Sequence, residues 1–326
     1  MHRSERIHIF CNELKQWFSI HRRTLPWRDL KVKDGNHRAY LVLVSEIMLQ
    51  QTQVQRVIIL YKYFIQTFPR ISDLAKVSNR QVLIAWKGLG YNSRALRLRD
   101  AAKTVMMKFR GTFPHNSEQL QSISGIGHYT AGAIRNFAFN IPTACIDTNI
   151  RRILHRCFIG LESSDGTWKT DDGKLLKLLE DVMAEAMRSD WEAKDFYAAL
   201  MDFGSLVCTK NNPKWHLMPV KMRPIFKAYG KTPVADRSKA SVQGALKKRE
   251  PGREVAGKFI PNRIFRGRIV DALRAEKRGL TLDQIGSRIT LDWPFGDHRE
   301  WLLGLLEKLE KDELIEVKRG KYALRS

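Results

Sequence analysis

The stretch LQSISGIGHYTAGAI, residues 120–134, decides how this chain is read. It runs as a helix, a tight hairpin at Gly125-Ile126-Gly127, and a second helix starting near His128. Two glycines one residue apart let the backbone approach a ligand closely. Exposed amides at the start of the following helix suit a phosphate oxygen. An ordinary tight turn would also show this pair of glycines. Placed between two amphipathic helices, with an Ile on either side of Gly125, the element fits a sequence-independent grip on a nucleic-acid backbone.

Charge points the same way. The 326 residues carry a formal net charge of +23 and 43% hydrophobic side chains. Residues 1–226 hold 34 basic and 20 acidic side chains (+14), residues 227–258 hold 9 and 3 (+6), and residues 259–326 hold 14 and 11 (+3). A bias spread this widely favours a polyanionic partner. No apolar run approaches the ~18–20 residues of a membrane span, and MHRSERIHIF lacks the apolar core of a secretory signal. A cytoplasmic, nucleoid-associated protein with no membrane partner is expected. Cys11, Cys145, Cys157 and Cys208 stand far apart without a CxxC pair, so neither disulfides nor a zinc site is indicated. Each reads as a small buried hydrophobe.

Three segments follow. Residues 1–226 read as helical throughout, with breaks at Thr24–Trp27, Lys87–Ser93, Ser124–Thr130 and Asn140–Asn149. Residues 227–258, basic and rich in Gly, Pro, Ser and Ala, read as a flexible linker. Residues 259–326 read as three amphipathic helices and a β-hairpin turning at Arg319-Gly320. That order is winged-helix-like, a module that binds either DNA or protein.

Two carboxylates carry candidate chemistry. Asp147, in ACIDTN before the apolar helix IRRIL, is either that helix's cap or a carboxylate supporting positive charge on a sugar. Glu46 lies in the apolar LVLVSEIML. It is either a partly exposed helix residue or a general acid whose pKa is raised by its surroundings. Cleavage of a glycosidic bond needs such a pair, an acid for the leaving group and an anion for the oxocarbenium-like transition state.

The ordered set LPWR, SEIMLQQTQV, GLGYNSRA, GIGHYTAGAI, IDTNIRRIL and ALMDFGSLVC closely resembles the MutY-type adenine DNA glycosylases of the helix-hairpin-helix superfamily, over residues 10–225. The resemblance implies a mainly α, two-lobed all-helical fold, with the small α+β module following it. It implies a monofunctional glycosylase, a monomer acting on double-stranded DNA, that flips out adenine mispaired with 8-oxoguanine or guanine and removes it. Glu46 would protonate the adenine and Asp147 would support the sugar cation. Gln50 and Gln51 match the pair that contacts and wedges into the base stack, and Tyr91 the aromatic that intercalates. A polar turn and a core aromatic are the plainer readings of these three. Gly125, Gly127, His128 and Thr130 would contact the DNA backbone. Ser45, Asn149, Arg151 and Arg152 would support or face phosphates, with a solvated helix face the better reading of Arg152. Tyr129 stands where the related endonuclease III group has a Lys whose amine attacks the sugar. A phenol forms no Schiff base, so hydrolysis without strand cutting is expected.

Two departures stand out. Relatives hold an iron–sulfur cluster with spacing C-x6-C-x2-C-x5-C, and here Cys208 is followed by Trp215, Met218 and Pro224 at the other ligand positions. No cluster, no other cofactor and no metal site is expected; His216 has no second ligand nearby. The segment after residue 259 does not resemble the Nudix-like domain that reads 8-oxoguanine in many relatives, which leaves the opposite-base preference open. A thymine/uracil glycosylase acting on G mismatches, and a non-catalytic DNA-binding protein, are the competing readings.

Overall fold

A computed structural model describes residues 1–163, 167–231, 250–290, 293 and 298–326. Most of the expected linker lies outside the described residues. The chain forms two compact units: Met1–Val42, Pro114–Ser122 and Ile126–Ala245 in one, Leu43–Phe113, Ile123–Gly125 and Leu246–Ser326 in the other. Among the described residues the fold is mainly helical, and no helix is long and apolar enough to cross a membrane.

The first unit contains α1 (Arg3–His21), the start of α2 (Gly35–Leu49), α7 (Ser117–Gln121), α8 (His128–Phe139), α9 (Thr148–Leu154), α10 (Asp172–Arg188) and α11 (Ala193–Leu206). Its core is a cluster that includes Phe10, Leu14, Ile153, Leu179, Phe196 and Phe203, none of them exposed. Removing such side chains from water contributes roughly 1.5–3 kcal/mol each. The LPWR motif has a structural task here. Arg28 Nη1 donates to Asp202 Oδ2 at 2.8 Å and Arg23 Nε to Oδ1 at 2.6 Å, tying the loop after α1 to α11. Asp202 has 0% exposure, so this charge is tolerable only because two guanidiniums compensate it.

The second unit contains the rest of α2, then α3 (Val54–Thr67), α4 (Ile71–Lys76), α5 (Asn79–Ala85) and α6 (Ser93–Lys108). Phe64 and Trp86 meet edge to face at 5.7 Å in its core. The C-terminal residues belong to this same unit. Strands β1 (Gly252–Val255) and β2 (Lys258–Pro261) pair antiparallel, followed by α12 (Asn262–Arg274), α13 (Leu282–Ile289), α14 (His298–Lys311), and the antiparallel pair β3 (Ile315–Lys318) and β4 (Lys321–Leu324). Arg319 and Gly320 turn the last hairpin with φ of 51° and 72°, the left-handed pair of a two-residue turn.

The ends of the expected linker need correction. At its start, the Ala228 amide donates to Arg156 O at 3.0 Å, and Ala228 is buried. At its end, β1 begins seven residues before the expected boundary at 259, turning into β2 through Ala256 and Gly257. The C-terminal segment is also not isolated. Arg274 donates to Leu83 O (2.9 Å) and Asn92 Oδ1 (2.8 Å), and Asn79 Nδ2 donates to Glu313 O (3.0 Å).

Candidate active site

Asp147 is the N-cap of α9. Its Oδ1 accepts from the Ile150 amide at 2.7 Å and its Oδ2 from Asn149 Nδ2 at 2.9 Å. The capping role anticipated for it is therefore real, and it fixes the carboxylate in one orientation. Burial pushes its carboxyl above the ordinary value, outweighing the Ile150 amide, Asn149 and nearby Arg152, which pull it down. The extended segment leading to it is pinned from both sides. Asn136 of α8 exchanges two hydrogen bonds with the Thr143 backbone, while Tyr197 of α11 accepts from the Cys145 amide at 2.8 Å and donates to Thr143 O at 2.7 Å. Gly132 makes this approach possible, since a Cβ there would lie 2.5 Å from Cys145 Cβ.

Arg152 corrects the sequence reading. It is buried rather than on a solvated face. Its guanidinium donates to Asn149 Oδ1 (2.7 Å), Gly204 O (2.8 Å) and Cys208 O, so it orients the amide that in turn orients Asp147. Asn149 thus bridges Asp147 and Arg152. Arg151 is also committed: it pairs with Asp172 through both terminal nitrogens and lies over the Trp168 ring at 5.9 Å.

The second unit holds the other group. Glu46 is half-buried on α2, next to buried Ser45 and Ile47. Helix α2 ends at Leu49, and Gln50 and Gln51 follow exposed, Gln51 with φ of 55°. Tyr91 is 48% exposed with φ of 46°, so it is not the core aromatic that was the plainer alternative. Left-handed backbone at a non-glycine aromatic is strained and persists only where its surroundings impose it. Arg94 does this. Its guanidinium donates to Ile47 O (2.9 Å), Met48 O (3.0 Å) and Gln50 O on one side, and to Leu89 O and Gly90 O (3.1 Å each) on the other. It also lies 5.5 Å from the centroids of the Trp86 and Tyr91 rings. Burial, and then the charge of Arg97, draw its pKa down to about 10, so it remains a cation at neutral pH. One buried cation therefore sets both the Gln51 turn and the Tyr91 turn.

The hairpin has the form the sequence suggests. Gly125 takes φ of 86°, and Gly127 caps α8 without a side-chain hydrogen bond. Helical geometry leaves the first-turn amides of α8 without intrahelical acceptors. Nothing lies within 4 Å of a Cβ built on Gly127, so the approach to that turn is open. His128 is exposed, Tyr129 is half-buried against the core of the first unit, and Thr130 is buried. With its side chain buried, residue 130 presents its backbone in the first turn of α8 to any phosphate there.

The loop after α11 does not fit an iron–sulfur cluster. Cys208 supplies one thiol, completely buried, while Trp215, Met218 and Pro224 supply no thiolate. Among the described residues no three His, Cys, Asp or Glu side chains gather as metal ligands. Arg156 occupies the centre of this region at 0% exposure. It donates to Thr209 O (2.7 Å), Lys210 O (2.8 Å) and, through two nitrogens, Glu162. Trp215 meets Phe226 edge-on and Tyr229 at a tilt, with centroids 6.2 and 6.0 Å away, and Met218 is buried in the same core.

Sequence reasoning missed Arg94, Asn136, Arg156 and Tyr197. The RA of GLGYNSRA is the only local hint of the first; Arg94, Arg156 and Tyr197 each take partners more than forty residues away, while Asn136 meets Thr143 across the break after α8.

The family described as HhH-GPD superfamily base excision DNA repair protein matches residues 44–171. The chain is 38% identical over 215 residues to the adenine DNA glycosylase of Mus musculus, covering 65% of this chain and 40% of that one. It is 36% identical over 214 residues to that of Buchnera aphidicola subsp. Baizongia pistaciae (strain Bp), covering 65% and 57%. The match to that of Mycolicibacterium smegmatis is 36% over 208 residues, covering 64% and 66%. The chain thus spans from two fifths to two thirds of the length of these relatives. Among solved structures, a thermostable thymine-DNA glycosylase superposes with a TM-score of 0.58 at 25% identity, covering 69% of this chain and 97% of that one. A trapped endonuclease III–DNA covalent intermediate shares the fold with a TM-score of 0.55 at 18% identity, covering 70% and 97%. The chain belongs to the HhH-GPD superfamily of base excision DNA repair proteins.

Proposed function

We propose that this protein is a monofunctional adenine DNA glycosylase, acting as a monomer on duplex DNA that carries adenine opposite 8-oxoguanine or guanine. The observation that carries the reading is Asp147, an enclosed carboxylate held by Ile150 and Asn149 and braced by Arg152 within IDTNIRRIL, in a chain whose relatives are named adenine DNA glycosylases. In the proposed reaction Glu46 donates a proton to the base as the N-glycosidic bond breaks and its electron pair leaves with adenine. Asp147 stabilises the positive charge left at C1′. Water adds there and gives up a proton, leaving an abasic site. Tyr129 has no amine to attack C1′, so the backbone stays intact. Extrusion costs a few kcal/mol and is cheapest for a mispaired base, which supplies part of the selectivity. The loop after α11 is held by Arg156 and apolar packing in place of a cluster, and the purified protein is expected to contain no stoichiometric iron.

The test is identification of the released base, by mass spectrometry, from duplexes carrying A opposite 8-oxoguanine, A opposite G, T opposite G, or U opposite G. Adenine from either of the first two is expected. Thymine or uracil alone would move the assignment to the mismatch thymine group, and no release at all would favour a DNA-binding protein without catalysis.

A further inference from the structure

A cleft of about 650 Å³ lies within the second unit, between the Gln51 and Tyr91 turns and helix α12. Among the described residues its walls carry Arg56, Arg263, Arg266 and Arg268 against one acid, Asp271. That acid is already neutralised by Arg274. Arg266 pairs with Asp312 and Arg268 donates to Ile289 O, so these two hold the walls. Arg56 and Arg263 are exposed, the latter 3.4 Å from Glu250, itself about half exposed. Gly267 lies on the cleft wall, and a Cβ there would meet nothing within 4 Å. The cleft is therefore open, cationic and bordered by two exposed side chains on strained backbone.

We infer that this cleft binds the sugar–phosphate backbone of the DNA strand that Gln51 and Tyr91 enter, with Arg56 and Arg263 on its phosphates. The volume falls in the range of ordinary ligand sites and accommodates a nucleotide. Strongly hydrated phosphates satisfy exposed guanidiniums without the burial penalty that an apolar partner would impose. The inference gives the C-terminal segment a place beside Gln51 and Tyr91, through α12 rather than through the β3–β4 hairpin. It rests on the reading of the chain as a DNA-binding glycosylase, but not on which base is removed.

The test uses the full chain and an undamaged duplex, on which no excision takes place, with affinity followed by fluorescence anisotropy over a range of salt. Arg263→Glu is expected to weaken binding about tenfold or more and to lower the slope of log K against log salt by about 1. Gly267→Trp, which fills the cleft without changing charge, is expected to weaken binding as well, and both variants keep the wild-type melting temperature. Arg319→Glu, on the β3–β4 turn, is expected to bind as wild type. Wild-type affinity and slope in both cleft variants, or an equal loss in Arg319→Glu, would overturn the inference. Absence of base release by the wild-type chain would remove the proposed activity while leaving this result to stand on binding alone.

Discussion

Asp147→Asn should lower single-turnover excision by roughly 10²–10³-fold or more, the scale on which a preorganised charge acts on a transition state. Duplex affinity should stay within a few-fold of wild type. The substitution keeps the shape of the side chain and its capping oxygen, so α9 should still start at Thr148. What it removes is the negative charge that, in the proposed reaction, offsets developing positive charge on the sugar. A pH profile gives a second readout of the same group. Only the carboxylate form helps, and burial raises its pKa, so excision should fall as pH drops with a midpoint above the ordinary Asp value of about 3.9. Asn149→Ala deletes a hydrogen bond that favours the ionised form, and should move that midpoint further up. A midpoint at or below the ordinary value, unmoved by Asn149→Ala, would show that another group controls the acid limb.

Arg156→Ala should cost about 3–5 kcal/mol of stability, the usual loss when one partner of a buried ion pair is removed. For a unit of this size that corresponds to a fall in Tm of about 10 °C. The side chain has no exposure, and its removal leaves Glu162 and the carbonyls of Thr209 and Lys210 without their shared donor. Arg156→Lys should recover only part of the loss, because an ammonium cannot span the Glu162 carboxylate and two carbonyls as a planar fork does. Differential scanning calorimetry would decide. A Tm within about 2 °C of wild type for Arg156→Ala would mean that apolar packing by Trp215, Met218 and Phe226 alone holds the loop.

What could be read from the chain, and what could not, divides by distance along the sequence. The hairpin at Gly125–Gly127, the cap at Asp147 and the turn at Arg319-Gly320 are local, since their partners lie within a few residues. Arg94, Arg152 and Arg156 look in sequence like ordinary charges on helix faces. Arg94 takes its acceptors from two turns, one of them more than forty residues away, and Arg156 reaches more than fifty residues to Thr209 and Lys210. Nothing in helical periodicity announces such pairings. The β1–β2 hairpin was hidden for a different reason. GREV and KFIP are four residues each and border a Gly- and Lys-rich segment, so a composition average absorbs them into it. The catalytic assignments themselves came from ordered motifs. Asp147 on its own reads as a cap, which it also is.

The most direct test of the account is single-turnover excision by the wild-type protein on a duplex with one adenine opposite 8-oxoguanine, half of each time point treated with alkali. Strand breaks at the adenine position are expected in the alkali-treated half and an intact strand in the untreated half, with borohydride trapping no covalent adduct. Equal cleavage in both halves, or a trapped adduct, would contradict hydrolysis supported by Asp147 with Tyr129 in place of an amine.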